Sequence, residues 1–260
     1  MNRFILFLLI LTLWPLPVFA QSPEEKGLEI AVEMNRRDDG FGDSTSNLEM
    51  ILRNKHGEES TRLMRNKTLE VKNDGDKTLV IFDNPRDVKG TAFLSFTHKI
   101  ENDDQWLFLP ALKRVKRISS SNKSGSFMGS EFAYEDITSQ EVEKYTYRWL
   151  RDEDYEGKPV FVVERDPVDP NSGYTRQVVW VDKKEYIPLK IEYFDRRNAP
   201  LKTLTFYDYK QYLGQYWRAD RMEMINHQTG KSTVLKWRDY KFKTGLSSKD
   251  FNKNSLKRAR

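Results

Sequence analysis

The sequence has no cysteine, only three histidines, and no long apolar run beyond its first twenty residues. Without cysteine there can be no disulfide, no thiolate metal site and no thiol nucleophile. His56, His98 and His227 form no H-E-x-x-H pair, and no G-x-S-x-G elbow precedes a helix. We therefore expect a protein that is not an enzyme and that needs no cofactor or metal.

Acidic residues are the remaining route to catalysis, because two carboxyl groups can hydrolyse a glycoside. The pairs Asp103-Asp104 and Glu135-Asp136 stand beside turns at the ends of apparent strands, where solvation is the simpler explanation. The acidic, glycine-containing residues 38–43 lack the alternating ligands and closing Glu of an EF-hand. We expect a solvated turn there rather than a calcium loop.

Residues 1–20 have the features of a secretory signal peptide, with Arg3 ahead of an apolar run and small residues before a cleavage site after Ala20. The run is too short to span a bilayer, which takes about 20 residues. We expect an exported protein in the periplasm of a Gram-negative bacterium, folded as one domain over residues 21–260. Loss of Arg3 lowers the formal net charge from +5 to +4, which suits an anionic membrane surface or headgroup and does not call for nucleic acid.

One helix is predicted at residues 23–34, where Ser22 can cap and Pro23 suits the first helical position. From Ser46 onward apolar residues recur with a period of two, broken by Gly, Asn, Asp and Pro turns. This pattern predicts strands near residues 91–97, 105–109, 114–119, 144–151, 159–165, 175–181, 189–195, 201–212, 216–226 and 232–242. So many consecutive strands predict a mainly β protein, a large antiparallel sheet curled into a barrel or part of one.

Residues 106–109 are apolar on both sides of a predicted strand, so a second layer has to cover them. Residues 113–117 are basic, and Arg114 and Lys116 share one strand face. They contact either a headgroup or partner, or simply form a charged sheet edge that discourages aggregation. The Ser/Gly-rich segment that follows carries an exposed-looking Phe127-Met128 pair. We interpret it either as a flap over an apolar groove or as a connection whose Phe127 packs permanently into the core.

Residues 89–94, 103–114 and 125–136 together resemble the outer-membrane lipoprotein-sorting (LolA-like) family, in a branch associated with membrane exporters. The resemblance implies an incomplete antiparallel barrel with helices or loops as a lid over an apolar concave face. It implies binding of lipid or lipoprotein acyl chains, transient membrane contact, and an inner-membrane exporter of the RND/MMPL or ABC type as partner. The expected cargo-binding residues are Leu48, Met50, Leu52, Phe93, Trp106, Phe108, Phe127, Met128, Phe132, Leu189, Ile191 and Tyr193, and the expected headgroup or partner contacts are Arg114 and Lys116.

Two functions remain open at this point. The first is a carrier for lipid or acylated cargo with a hollow interior. The second is an accessory or sensor module of a transport complex, which would use a strand edge or the basic segment to dock and would fill its interior with its own side chains. The basic tail after a short turn at Asp250-Phe251 is expected to be loose.

Overall fold

A computed structural model describes residues 21–258, so the expected signal peptide and its cleavage site lie outside the described residues. The elements are α1 (Pro23–Asp38), β1 (Asp43–Arg53), β2 (Glu59–Leu69), β3 (Lys77–Asn84), β4 (Ala92–Phe96), β5 (Asp104–Leu109), β6 (Arg114–Ile118), β7 (Tyr145–Tyr155), β8 (Lys158–Pro167), β9 (Tyr174–Asp182), β10 (Pro188–Asp195), β11 (Pro200–Tyr212), β12 (Tyr216–Asn226), β13 (Ser232–Phe242) and α2 (Lys253–Arg258). Neither helix is long and apolar enough to cross a membrane.

The thirteen strands form one antiparallel sheet that curls without closing, which confirms the predicted fold class. Its spatial order is β6-β5-β4-β3-β2-β1-β13-β12-β11-β10-β9-β8-β7. The first and last strands of the chain therefore pair in the middle of the sheet, with Met50 opposite Leu235. The outermost strands are β6 and β7, which are consecutive in the chain, so the loop between them (residues 119–144, the covering loop) joins the two edges of the sheet.

The N-terminal helix begins where the sequence predicts. The Ser22 side chain accepts a hydrogen bond from the backbone of Glu25, whose carboxylate accepts one from the backbone of Ser22. The helix continues past the predicted end at Met34 to Asp38 and packs along β7. Gly27 allows this approach, because a Cβ there would lie 2.7 Å from the backbone nitrogen of Trp149.

The two faces of the sheet are buried in different ways. The concave face carries the main apolar cluster, to which Leu107 and Phe93 belong. On the convex face, Trp106 and Leu94 belong to a second cluster that Phe251 and Leu256 cover from the C-terminal segment. The predicted double covering of residues 106–109 is thus confirmed.

The expectation of a loose C-terminal tail is wrong. Residues 253–258 form α2, which packs against β4, β5 and β6, and Leu256 is completely buried. The reason is that the apolar convex side of β4 and β5 needs a cover, and the spacing of Phe251 and Leu256 supplies two side chains to the same cluster.

Candidate functional site

A cavity of about 1250 Å³ lies between the concave face of the sheet and the two segments that cover it. The helix α1 contributes Ile30, Ala31 and Met34, and the covering loop contributes Phe127 and Phe132. Strands on both sides of the β1/β13 pair form the floor, with side chains that include Val80, Val163, Val179, Leu204, Met222 and Leu235. The volume exceeds the roughly 300–1,000 Å³ of ordinary small-molecule pockets.

The mouth of the cavity is polar, in contrast to its interior. The exposed residues of the lining come from the end of α1, the turn between β2 and β3, the covering loop and the turn between β11 and β12. They are Arg36, Asp38, Asp39, Gly40, Lys72, Asn73, Gln140, Gln211, Gly214 and Gln215. An apolar interior behind a polar mouth suits a ligand that is itself apolar at one end and polar at the other.

A buried ion pair attaches the covering loop to the concave face. The ammonium of Lys202 on β11 lies 2.7 Å from the carboxylate of Asp136, and both side chains are only 5% exposed. The hydroxyl of Tyr174 donates to the same carboxylate at 2.9 Å, and Lys202 also donates to the backbone carbonyl of Glu131. The loop is therefore held over the sheet by groups shielded from water.

Glu135, next to this pair, is a second attachment point. Its carboxylate accepts hydrogen bonds at 2.8 Å from the hydroxyl of Ser172 and from the backbone of Gly173, while burial raises its pKa. The expectation that Glu135 and Asp136 are simply solvated is therefore wrong. They lie in the loop that crosses the sheet and not at a strand end, which the sequence pattern did not distinguish.

Two further carboxyl groups line the cavity, from the turn before β3 and from the covering loop. Burial raises the pKa of Asp76 to about 6 and that of Glu141 to about 7. The neighbouring Asp76 adds to the shift at Glu141, and the hydroxyl of Ser139 donates to Asp76 at 3.2 Å. Both groups therefore change protonation between mildly acidic and neutral pH.

Six of the twelve expected cargo-binding residues line the cavity: Leu48, Met50, Phe127, Phe132, Ile191 and Tyr193. Leu52, Phe93 and Met128 pack into the same concave cluster without reaching the cavity lining. Binding of cargo by any of these residues stays a prediction.

Trp106, Phe108 and Leu189 do not line the cavity, contrary to expectation. Trp106 and Phe108 point to the convex face, where α2 covers them. Leu189 was expected to share a face with Ile191, but the pairing of β10 with β9 is irregular between Pro188 and Lys190, and this irregularity turns Leu189 to the convex cluster of Trp180.

Phe127 is not exposed, although the sequence around it is rich in Ser and Gly. It is 1% exposed, and its ring packs within 5.2 Å of Phe93 and 5.5 Å of Tyr134, measured between ring centroids. The backbone carbonyl of Met128 accepts a hydrogen bond from Arg62. Phe127 is thus packed over the apolar cavity, as both a closed flap and a permanently packed connection require, and the choice between the two stays a prediction.

Arg114 and Lys116 are exposed on β6, at the free edge of the sheet.

Within residues 21–258 no group of His, Asp and Glu side chains is arranged to hold a metal ion. The acidic turn at residues 38–43 is tied down instead: the backbone N–H groups of Gly40 and Gly42 donate to Glu70, and Phe41 is buried.

The sequence reasoning missed most of the floor contributed by β8, β9 and β11–β13, including Val163, Val179 and Leu204. Their alternation was visible in the sequence and predicted that they share a face with their neighbours at i ± 2. The sequence alone did not show which face of the sheet is concave. That depends on the pairing of distant strands, above all β1 with β13.

Comparison with known proteins gives one family model, described only as "uncharacterized protein", which matches residues 74–258. Among solved structures, a Vibrio parahaemolyticus domain described as an outer membrane lipoprotein-sorting protein is 65% identical, with a TM-score of 0.89, over 90% of this chain and 99% of that one. A DUF1329 family protein from Desulfovibrio piger is 31% identical, with a TM-score of 0.86, over 91% of this chain and 100% of that one.

A LolA superfamily protein from Nitrosomonas europaea shares the fold, with 22% identity and a TM-score of 0.70 over 91% of this chain and 100% of that one. No protein with a curated function matches the chain significantly.

Proposed function

Because the chain belongs to the family of outer membrane lipoprotein-sorting protein domains, we propose that it is a periplasmic carrier that binds acyl chains of a lipid or lipoprotein in its cavity. The observation that carries this proposal is the cavity of about 1250 Å³, whose interior is mainly apolar and whose mouth is polar. A carrier of this kind needs a shielded interior and no catalytic group.

The energetics of acyl chains support such a role. Each methylene that leaves water gains about 0.8 kcal/mol, so a sixteen-carbon chain costs on the order of 12 kcal/mol to expose. A lipid crossing an aqueous compartment alone would face that whole cost. An apolar interior larger than an ordinary pocket lowers it by replacing water around the chain.

We further propose that residues 1–20 are removed on export and that residues 21–260 act as one domain. The donor of the cargo would be an inner-membrane exporter of the RND/MMPL or ABC type, with transient membrane contact during transfer. The resemblance of residues 89–136 to the exporter-associated branch supports this partnership.

The test blocks the cavity from the helix side. Ala31 faces the cavity and Val32, the next residue of α1, is 49% exposed. Ala31→Trp should reduce uptake of a dansyl-labelled undecanoic acid and should reduce the acyl lipid that mass spectrometry detects in organic extracts of the purified protein. Val32→Trp, the matched control, should leave both unchanged. Absence of acyl ligand and of probe uptake in the unmodified protein would argue strongly against a carrier.

A second function, an accessory or sensor module that docks on a membrane transport complex, is favoured by one observation. The strand β6 is a free sheet edge whose Arg114 and Lys116 are exposed, whereas α1 packs along the opposite edge, β7. Pull-down of membrane partners with Arg114→Glu and Lys116→Glu tests this version, and unchanged capture would dispose of it.

A further inference from the structure

One row of polar side chains crosses the concave face where the neighbouring rows are apolar. Cross-strand pairing from β7 to β12 places next to one another Tyr147, Arg165, Gln177, Tyr193, Lys202 and Asn226. The adjacent row, which is displaced by two residues along the same strands, consists of Trp149, Val163, Val179, Ile191, Leu204 and Met224. Rows two residues apart in a strand are separated by roughly 6–7 Å.

The covering loop occupies one half of this polar row. Lys202 pairs with Asp136, and the amide of Asn226 donates to the carboxylate of Glu131 at 2.7 Å. These groups are therefore satisfied within the protein. In the other half of the row, from Tyr147 to Gln177, Tyr147 and Arg165 line the cavity.

Arg165 is the cation in that half. Its Nε–H donates to the side-chain oxygen of Gln177 at 2.8 Å, and its guanidinium lies 4.5 Å from the ring centre of Tyr145. Gln177 is 2% exposed, so it holds the guanidinium in a defined orientation. Among residues 21–258, Arg165 forms no ion pair, and its remaining N–H groups find no acceptor.

The arginines on the other face of the same strands behave differently. Arg148 and Arg176 both form ion pairs with Glu164, at 2.6 Å and 3.3 Å. The guanidinium of Arg165 is half-buried, and its remaining N–H groups reach solvent-accessible space in the cavity, so they are available to a ligand. Its planar fork matches a carboxylate or phosphate, which it can bind through two parallel hydrogen bonds.

We propose that Arg165 binds the anionic headgroup of an acidic amphiphile, a carboxylate or a phosphate, while the apolar tail lies along the adjacent rows of the concave face. This inference rests on the proposed carrier function and specifies the chemical class of its cargo. Val163 and Phe161 lie two and four residues before Arg165 on the same face of β8, so the apolar surface begins directly beside the charge.

The other cations of the lining are paired or exposed. Arg36 and Arg37 pair with Glu33, Arg218 pairs with Asp38, Lys99 lies 3.9 Å from Glu143, and Lys72 is exposed at the mouth. Glu141 lies near this site, because its charge and that of Arg165 both act on Tyr147, and burial raises the pKa of Glu141 to about 7. Below that pH the carboxyl is mostly protonated and repels a ligand acid little.

The experiment measures displacement of the dansyl-labelled undecanoic acid by palmitic acid, hexadecyl phosphate and methyl palmitate, the last having no charge. The unmodified protein should bind the two acids about tenfold to a hundredfold more tightly than the ester, as expected for a charge-assisted pair. Arg165→Gln should lose that preference and retain ester binding. Arg148→Gln, the matched control on the opposite face, should behave as the unmodified protein.

Each contrary result has a distinct meaning. Equal binding of acid and ester by the unmodified protein, or an unchanged preference in Arg165→Gln, would overturn the inference and leave the carrier function standing. Displacement of the probe by inorganic phosphate as effectively as by hexadecyl phosphate would make Arg165 a site for free anions and also overturn it. No binding of any acyl probe would refute the carrier function itself. Ester binding and melting temperature report whether the variant is folded.

Discussion

Replacing Asp136 by Asn should destabilise the protein strongly, because it leaves the ammonium of Lys202 buried without its counter-charge. The two side chains are 2.7 Å apart and 5% exposed, and within residues 21–258 the only other oxygen to which Lys202 donates is the carbonyl of Glu131. Breaking a buried pair from one side costs about 3–5 kcal/mol. For a chain of this length each kcal/mol corresponds to roughly 2–4 °C, so the melting temperature should fall by about 6–20 °C.

The assay is thermal unfolding followed by circular dichroism, together with limited proteolysis of the covering loop. Asp208→Asn is the matched control, since Asp208 lies on the same strand as Lys202 but forms an exposed pair with Arg221 at 3.3 Å. It should change stability by less than about 1 kcal/mol. The double variant Asp136→Asn with Lys202→Met should recover part of the loss, because it removes the unpaired charge. A melting temperature of Asp136→Asn within about 2 °C of the control would refute this reasoning.

Three further predictions follow from burial and charge. Phe127→Ser should lower the free energy of unfolding by about 3–5 kcal/mol, since its ring is fully packed, and an unchanged urea midpoint would contradict this. Trp106→Ala should cost a similar amount and should expose α2 to proteolysis, whereas unaltered melting would mean that the helix does not cover the indole. Asp76 and Glu141 have raised pKa values, so the folded state binds more protons and stability should fall as pH rises from about 4 to about 7; the urea midpoint of Asp76→Asn with Glu141→Gln should fall less steeply over this range.

The strand pattern of the sequence predicted much of the fold because residues typical of turns mark where many of the strands begin and end. The bounds of β12 and β13 agree with those predicted, since Leu213-Gly214 and Thr229-Gly230 mark the turns that enclose them. The period of two also assigned the side chains of each strand to two faces. The class of fold and the number of major strands therefore follow from local information.

The cavity could be predicted only in outline, because it depends on contacts between distant residues. Leu189 lies on the opposite face from the one expected, because the register of β10 with β9 shifts between Pro188 and Lys190, and the sequence carries no signal for this shift. Arg165 and Lys202 look like ordinary strand cations until the pairing of four strands places them in one row. Glu135 and Asp136 resemble a solvated acidic pair, and only the path of the covering loop across the sheet explains their burial.

The pairing of β1 with β13 has a consequence for how the molecule assembles. In β1–β6 and in β7–β13 every strand pairs with its neighbour in the chain, so each half of the sheet can form from local hairpins. The contacts that unite the halves, such as Asn47 with Asp239, join residues separated by 192 positions. In the described sheet, β1 with β13 is the single strand pairing between distant parts of the chain, so the closure entropy of the sheet falls on this pairing, and the hollow cannot form before β13 has joined β1.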